Sequence, residues 1–165
     1  MSTKHEEHGI ADRTGWPRGE WDGEPDRVTW RDEATGWAGA VLRGPVGSLC
    51  GYVAVAHDHP WHGVDYGACW RRGNLEELRR AVVASRVGAN SSVLRCDTAE
   101  RGDYCDHRLD SIVSAHGGLT FSGHGACLGL NADAGLWWFG FDCAHSGDVA
   151  PGLMERLGLD PGNSY

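Results

Sequence analysis

Apolar residues in this chain come in short runs. Trp37-Ala38-Gly39-Ala40-Val41-Leu42 and Leu49-Cys50-Gly51-Tyr52-Val53-Ala54-Val55 are separated by Arg43-Gly44-Pro45-Val46-Gly47-Ser48, a stretch of turn formers. Two such runs around such a break predict a hairpin. Ile112-Val113-Ser114-Ala115-His116, Leu119-Thr120-Phe121-Ser122 and Leu136-Trp137-Trp138-Phe139-Gly140-Phe141 predict three more strands, with Gly117-Gly118 and Asn131-Ala132-Asp133-Ala134-Gly135 as breaks.

Helical spacing is rarer. Asn74 is a good N-cap, Glu77 follows three residues later, and Leu75, Leu78 and Val82 share a face, which predicts a helix running to about Arg86. A short helical turn is expected at Leu153-Met154-Glu155-Arg156-Leu157, closed by Gly158. The fold class that follows is α+β, a single domain with a mostly antiparallel sheet of about five strands and one main helix. Residues 1–26 break the pattern: they are polar and punctuated by Gly15, Pro17, Gly19, Gly23 and Pro25. Such a segment cannot bury enough apolar surface to order itself, so a flexible lead-in to a domain over residues 27–165 is expected.

Composition narrows this picture. A chain of 165 residues fits one ordinary domain, and its 25 glycines point to many tight turns rather than long helices. With 15 basic against 23 acidic side chains the formal charge is -8, which repels a phosphate backbone at long range. No polymeric nucleic acid is expected as a partner. A small anionic or nucleotide-like ligand remains compatible, because backbone N–H groups, single arginines or a metal can hold one locally. No apolar run approaches the roughly 20 residues that cross a bilayer, and the amino terminus Met1-Ser2-Thr3-Lys4-His5-Glu6-Glu7-His8 is polar, so no membrane and a cytoplasmic location are expected. The six cysteines, Cys50, Cys69, Cys96, Cys105, Cys127 and Cys143, contain no Cys-x-x-Cys spacing and are expected as free thiols in a reducing compartment. Cys96, Cys105 and His107 match no zinc finger or ribbon spacing.

The sharpest candidate chemistry lies where the tryptophan run passes into Asp142-Cys143-Ala144-His145-Ser146-Gly147-Asp148. A carboxylate, an imidazole and a second carboxylate at three-residue intervals suit an Asp-oriented histidine base, or a divalent metal held by oxygen and nitrogen donors. The alternative is that Asp142 caps the turn, His145 fills space against an indole and Asp148 is solvated. A second candidate is Ala115-His116-Gly117-Gly118-Leu119-Thr120-Phe121-Ser122. There His116 meets two glycines whose amides could bind an oxyanion, and Thr120 and Ser122 add small polar groups. Its alternative is an ordinary Gly-Gly hairpin. The third is His57-Asp58-His59-Pro60-Trp61-His62-Gly63, read as a loop in which His59 and Trp61 contact a ligand; shared metal ligation by His57 and His59 is the weaker reading, and His59 packing on Trp61 or Tyr66 is the structural alternative. Most of the eight tryptophans are expected in the core, with one or two able to stack on a planar ligand.

These residues assemble into a resemblance. The segments Cys50-Gly51-Tyr52-Val53-Ala54-Val55, His59-Pro60-Trp61-His62-Gly63, His116-Gly117-Gly118-Leu119-Thr120-Phe121 and Trp137-Trp138-Phe139-Gly140-Phe141-Asp142-Cys143-Ala144-His145-Ser146-Gly147-Asp148 make the chain similar, over roughly residues 37–165, to a family of small uncharacterised proteins encoded by tailed phages, prophages and some bacteria. Members of that family continue into a tyrosine-containing amphipathic helix, a segment that could cover the sheet or form a homo-oligomer contact. The resemblance implies a cytoplasmic protein of an infected or lysogenic bacterial host, and by analogy a nucleotide immune signal as ligand.

The expectation is therefore a hydrolase or phosphodiesterase acting on a small nucleotide-like ligand. In it His116, Asp142, His145 and Asp148 are catalytic; Gly117, Gly118, Thr120, Ser122, His59 and Trp61 bind the ligand; and His145, Asp142 and His116 are the candidate ligands for a divalent metal. A non-catalytic nucleotide-binding protein that sequesters the same ligand, and a virion or host-protein interaction domain, are the other classes left open.

Overall fold

The computed structural model describes residues 2–70, 107–109, 113–130 and 135–158. Its strands are β1 (Ser2–Glu7), β2 (Arg27–Asp32), β3 (Ala38–Arg43), β4 (Leu49–Val55), β5 (Cys69–Trp70), β6 (His107–Arg108), β7 (Phe121–His124) and β8 (Trp137–Asp142). Six of them form one antiparallel sheet in the order β1-β2-β3-β4-β8-β7, and β5 pairs with β6. A helix, α1 (Pro151–Leu157), follows β8, with Pro151 in its first turn and Gly158 in the left-handed region at φ 63° closing it. This is the α+β, mostly antiparallel architecture expected. The helix anticipated from Asn74 to about Arg86 lies outside the described residues. Among those described, no helix is long and apolar enough to cross a membrane.

Contacts gather the chain into two units, Met1–Val53 with Gly140–Tyr165, and Ala54–Phe139. In the first unit β3 and β4 flank the turn formers as the hairpin pattern predicts. The Gly44 N–H donates to the Ser48 carbonyl at 2.8 Å and the Gly47 N–H to the Gly44 carbonyl at 2.9 Å. Gly47 has a φ of 88°, a conformation that L side chains rarely adopt. Aromatic rings lie directly over glycines on neighbouring strands: Trp30 over its register partner Gly39, Tyr52 over Gly140 and Phe141 over Gly51. A Cβ at any of the three would enter a ring, which is why these strands carry glycine despite its low strand propensity.

Residues 1–26, expected as a flexible lead-in, carry β1 and a 3-10 turn over Glu20–Gly23. β1 lies along β2 with Glu7 opposite Arg27 and Ser2 opposite Asp32. Composition reflects apolar burial alone, whereas polar groups hold this segment. The Asp26 carboxylate accepts the backbone N–H of Ile10 at 2.8 Å and of Ala11 at 3.1 Å, pairs with Arg13, and accepts Arg43 Nε at 3.1 Å. Arg13 also donates to the carbonyls of Trp21 and Glu24, at 2.7 and 2.8 Å. Burial alone would raise the Asp26 carboxyl, but the Arg13 and backbone hydrogen bonds, with the Arg13 charge, outweigh it and hold the group below its ordinary range.

The second unit has its own apolar core of Val55, Leu109, Leu119 and Phe139, with Trp61, Tyr66, Val113 and Trp137 packed against it. Trp61 meets Phe139 edge-on at 6.0 Å, and the Trp137 indole N–H donates to the Val64 carbonyl at 2.9 Å. The strand expected at Ile112–His116 is not formed over residues 113–116. Residues 113–116 are not extended: the Val113 N–H turns back to the Leu109 carbonyl at 3.1 Å, and the Gly118 N–H to that of Ala115 at 3.0 Å, so these amides close turns instead of joining a ladder. The following strand accordingly starts at Phe121 rather than Leu119. Cys50, Cys127 and Cys143 are free thiols, while the side chains of the other three cysteines lie outside the described set.

Candidate functional site

The first unit presents the Asp142–Asp148 loop at the end of β8. Trp138, Phe139 and Gly140 are buried along that strand, and exposure rises from Phe141 onward until residues 144–147 stand in solvent. The apolar run therefore fixes the strand while its polar continuation is delivered to the surface. Gly147, at φ 96°, lets the chain turn back.

Local hydrogen bonds then set the loop. Asp142 Oδ1 accepts the Ala144 N–H at 3.1 Å, and Asp148 Oδ2 accepts the His145 N–H at 2.8 Å. The same Asp148 oxygen lies 3.2 Å from His145 Nδ1, and Asp142 Oδ1 lies 3.9 Å from it. The imidazole thus has two carboxylates on its Nδ1 side. An ionised Asp148 only accepts, so this contact assigns the proton to Nδ1 and the lone pair to Nε2. The His145 side chain is 39% exposed against 14% for Asp148, so the ring is presented by a largely covered carboxylate.

A cavity of about 600 Å³ opens in the same unit. Cys143 and Val149, from the two ends of the loop, share its wall with Trp21, Leu49 and Pro151, and Arg43 and Glu24 supply its charged groups. Arg43 Nη2 is 2.7 Å from Glu24 Oε2, so the guanidinium enters the wall already paired. Burial, then the charges of Asp148, Cys50 and Asp142, push the Cys143 thiol up and keep it protonated. Tyr52 on β4 is pushed up to about 12 by burial, then by the charge and hydrogen bond of Cys50, and last by the Asp142 charge.

In the second unit His116 is exposed on a turn whose next two residues, Gly117 and Gly118, have φ of 65° and 87°. Thr120 is exposed as well. The other expected ligand contacts carry structural bonds: Ser122 Oγ accepts the Tyr66 N–H at 3.0 Å, His59 Nδ1 accepts the Trp61 N–H at 3.1 Å, and the Trp61 ring packs in the core. Burial lowers the His59 pKa, with Asp58 opposing and His62 adding to the shift.

No family model, curated protein or solved structure matches this chain. The sequence pattern singled out Asp142, His145 and Asp148, which the loop brings together. It missed the cavity wall, because Trp21, Leu49 and Arg43 are distant in sequence and belong to no motif; only the run of turn formers beside Arg43 marked that neighbourhood.

Proposed function

We propose that the protein is a hydrolase of the phosphodiesterase type, acting on a small nucleotide-like ligand. The observation that carries the reading is the Asp148 carboxylate on Nδ1 of an exposed His145. That pairing leaves Nε2 as the basic nitrogen and stabilises the imidazolium formed once it has taken a proton from an attacking water. Asp142 lies 3.9 Å from the same nitrogen and adds a second carboxylate on that side of the ring.

In this reading the cavity takes the planar part of the ligand beside Trp21, while the scissile bond lies at His145. His145 then passes that proton to the leaving oxygen as general acid. The donor set also fits a divalent ion. A histidine whose other ring nitrogen is held by a carboxylate is a usual metal ligand, and Nε2 of His145 would be a donor to such an ion, which would supply Lewis-acid stabilisation of the phosphoryl group.

The resemblance to phage-encoded proteins leads to cyclic and linear nucleotide signals as the first compounds to assay. Untagged protein incubated with such phosphodiesters, with and without added divalent metal, is expected to release product. His145→Asn and Asp148→Asn should each slow release by about 100-fold or more, the range of a lost general base. Quantitative recovery of intact ligand from a tight complex would replace the hydrolase with a sequestering protein. Full activity in His145→Asn would remove the site.

A further inference from the structure

The loop after β4 in the second unit carries histidines that the proposed hydrolase does not use. His57 and His62 have ring centroids 4.8 Å apart with their planes tilted by 44°. The chain is folded to hold them so: the His59 N–H donates to the Ala56 carbonyl at 3.0 Å and the His62 N–H to that of His59 at 2.9 Å, two successive turns that return residue 62 towards residue 57. His62 is further fixed through Nε2, which lies 3.0 Å from the Gly135 carbonyl oxygen. A carbonyl only accepts, so Nε2 carries the proton and Nδ1 the lone pair.

Two features of this pair match metal ligation. With metal–nitrogen bonds of about 2.0–2.1 Å and tetrahedral angles, two imidazoles on one ion have their centroids roughly 5 Å apart, close to the separation found here. A metal-ligating histidine also normally gives its other N–H to a carbonyl or carboxylate, which fixes the tautomer, and the His62–Gly135 bond is such a contact. An imidazole pair without thiolates suits borderline divalent ions of the zinc, nickel and copper group rather than magnesium or calcium.

We propose that His57 and His62 form a transition-metal site, in which Nδ1 of His62 and one ring nitrogen of His57 bind a single divalent ion and water completes its coordination. It is distinct from the ion that His145 would hold, and it stands whether or not the protein is a hydrolase.

The test uses full-length protein without a histidine tag and nickel chloride as the probe, followed by calorimetry and by paramagnetic broadening of the histidine ring resonances. A site is expected that broadens His57 and His62 together, whether or not a second ion binds at His145. His57→Gln and His62→Gln should each weaken it by about tenfold or more, the range expected for disturbing a metal site, whereas His145→Asn leaves it unchanged. His57 is exposed and its replacement disturbs no hydrogen bond given above, so that variant remains informative even where His62→Gln unfolds the loop. Broadening confined to other histidines, or nickel bound as tightly by His57→Gln as by the parent, overturns the proposal.

Discussion

The first unit contains two carboxylate-centred clusters that use the same residue types for opposite ends. Around Asp26 the carboxylate is 1% exposed, as is the Arg43 side chain that meets it, and backbone N–H groups add to the two arginines. Around His145 the groups are partly exposed, and Asp142 and Asp148 meet the ring from three residues away on either side. Long-range pairing out of water locks segments together. Short-range pairing at the surface positions one side chain and ties down little else. The difference teaches where to look for chemistry: a charge whose partners come from several distant segments is holding the fold, and a charge held by its own loop is available to a ligand.

The largest expected effect follows from that contrast. Asp26→Ala leaves Arg13 and Arg43 without their common partner, and removing one member of a buried ion pair typically destabilises by about 3–5 kcal/mol. Urea unfolding should show a loss of that size together with release of residues 1–13, seen as rapid amide exchange in β1. A loss under about 1 kcal/mol would place Asp26 with the exposed charges, for which that is the usual scale.

The second expected effect is the pH dependence of the same group. Its folded pKa lies below the ordinary value of 3.8, so the unfolded chain binds the proton more readily. The stability that Asp26 contributes is complete above that value and is lost as pH falls through the lower, folded pKa. The parent protein should therefore lose stability below about pH 4 more steeply than Asp26→Ala does. Equal slopes for the two would show that other carboxylates govern acid unfolding.

The same contrast explains what was legible in the sequence. Local patterns carried far: the Trp37–Val55 runs around their turn formers give β3 and β4, the aromatic run gives β8, and the Asp142–Asp148 loop is closed by bonds spanning two or three residues. The Asp26 network was not legible, because its partners at residues 10, 11, 13 and 43 are set by tertiary structure and carry no periodicity. Ile112–His116 has the composition of a strand, yet the Val113 amide takes a turn bond to Leu109, a choice made by the packing of Leu109 and Val113 into the second core. The cavity was hidden for the same reason as the network.

A third effect is smaller in stability and large in function. His145→Asn removes an exposed ring that meets Asp148 within its own loop, so its stability should stay within about 0.5 kcal/mol of the parent, the range of surface substitutions. Thermal unfolding measured beside the phosphodiesterase assay separates the two quantities. Loss of activity with unchanged stability keeps His145 on the functional side of the comparison, and a fall in both together moves it to the side of Asp26.

The smallest expected effect is spectroscopic and asks whether Asp142 is charged and close to the β4 strand. Tyr52 should ionise at about 12, read from the phenolate absorbance on alkaline titration, rather than near the ordinary value of 10.0. Burial is the main cause and should persist in every variant. Of the remaining causes, the charge and hydrogen bond of Cys50 exceed the Asp142 charge. Cys50→Ala should therefore lower the midpoint more than Asp142→Asn does, and both should lower it. Because the raised value favours the protonated phenol in the folded state, Tyr52 stabilises the protein below pH 10.0, and that contribution is lost as the pH climbs towards 12. A midpoint near 10.0 in the parent, or no change in Asp142→Asn, would detach Asp142 from β4. The loop's position would then rest on its own hydrogen bonds and on the strand from which it emerges.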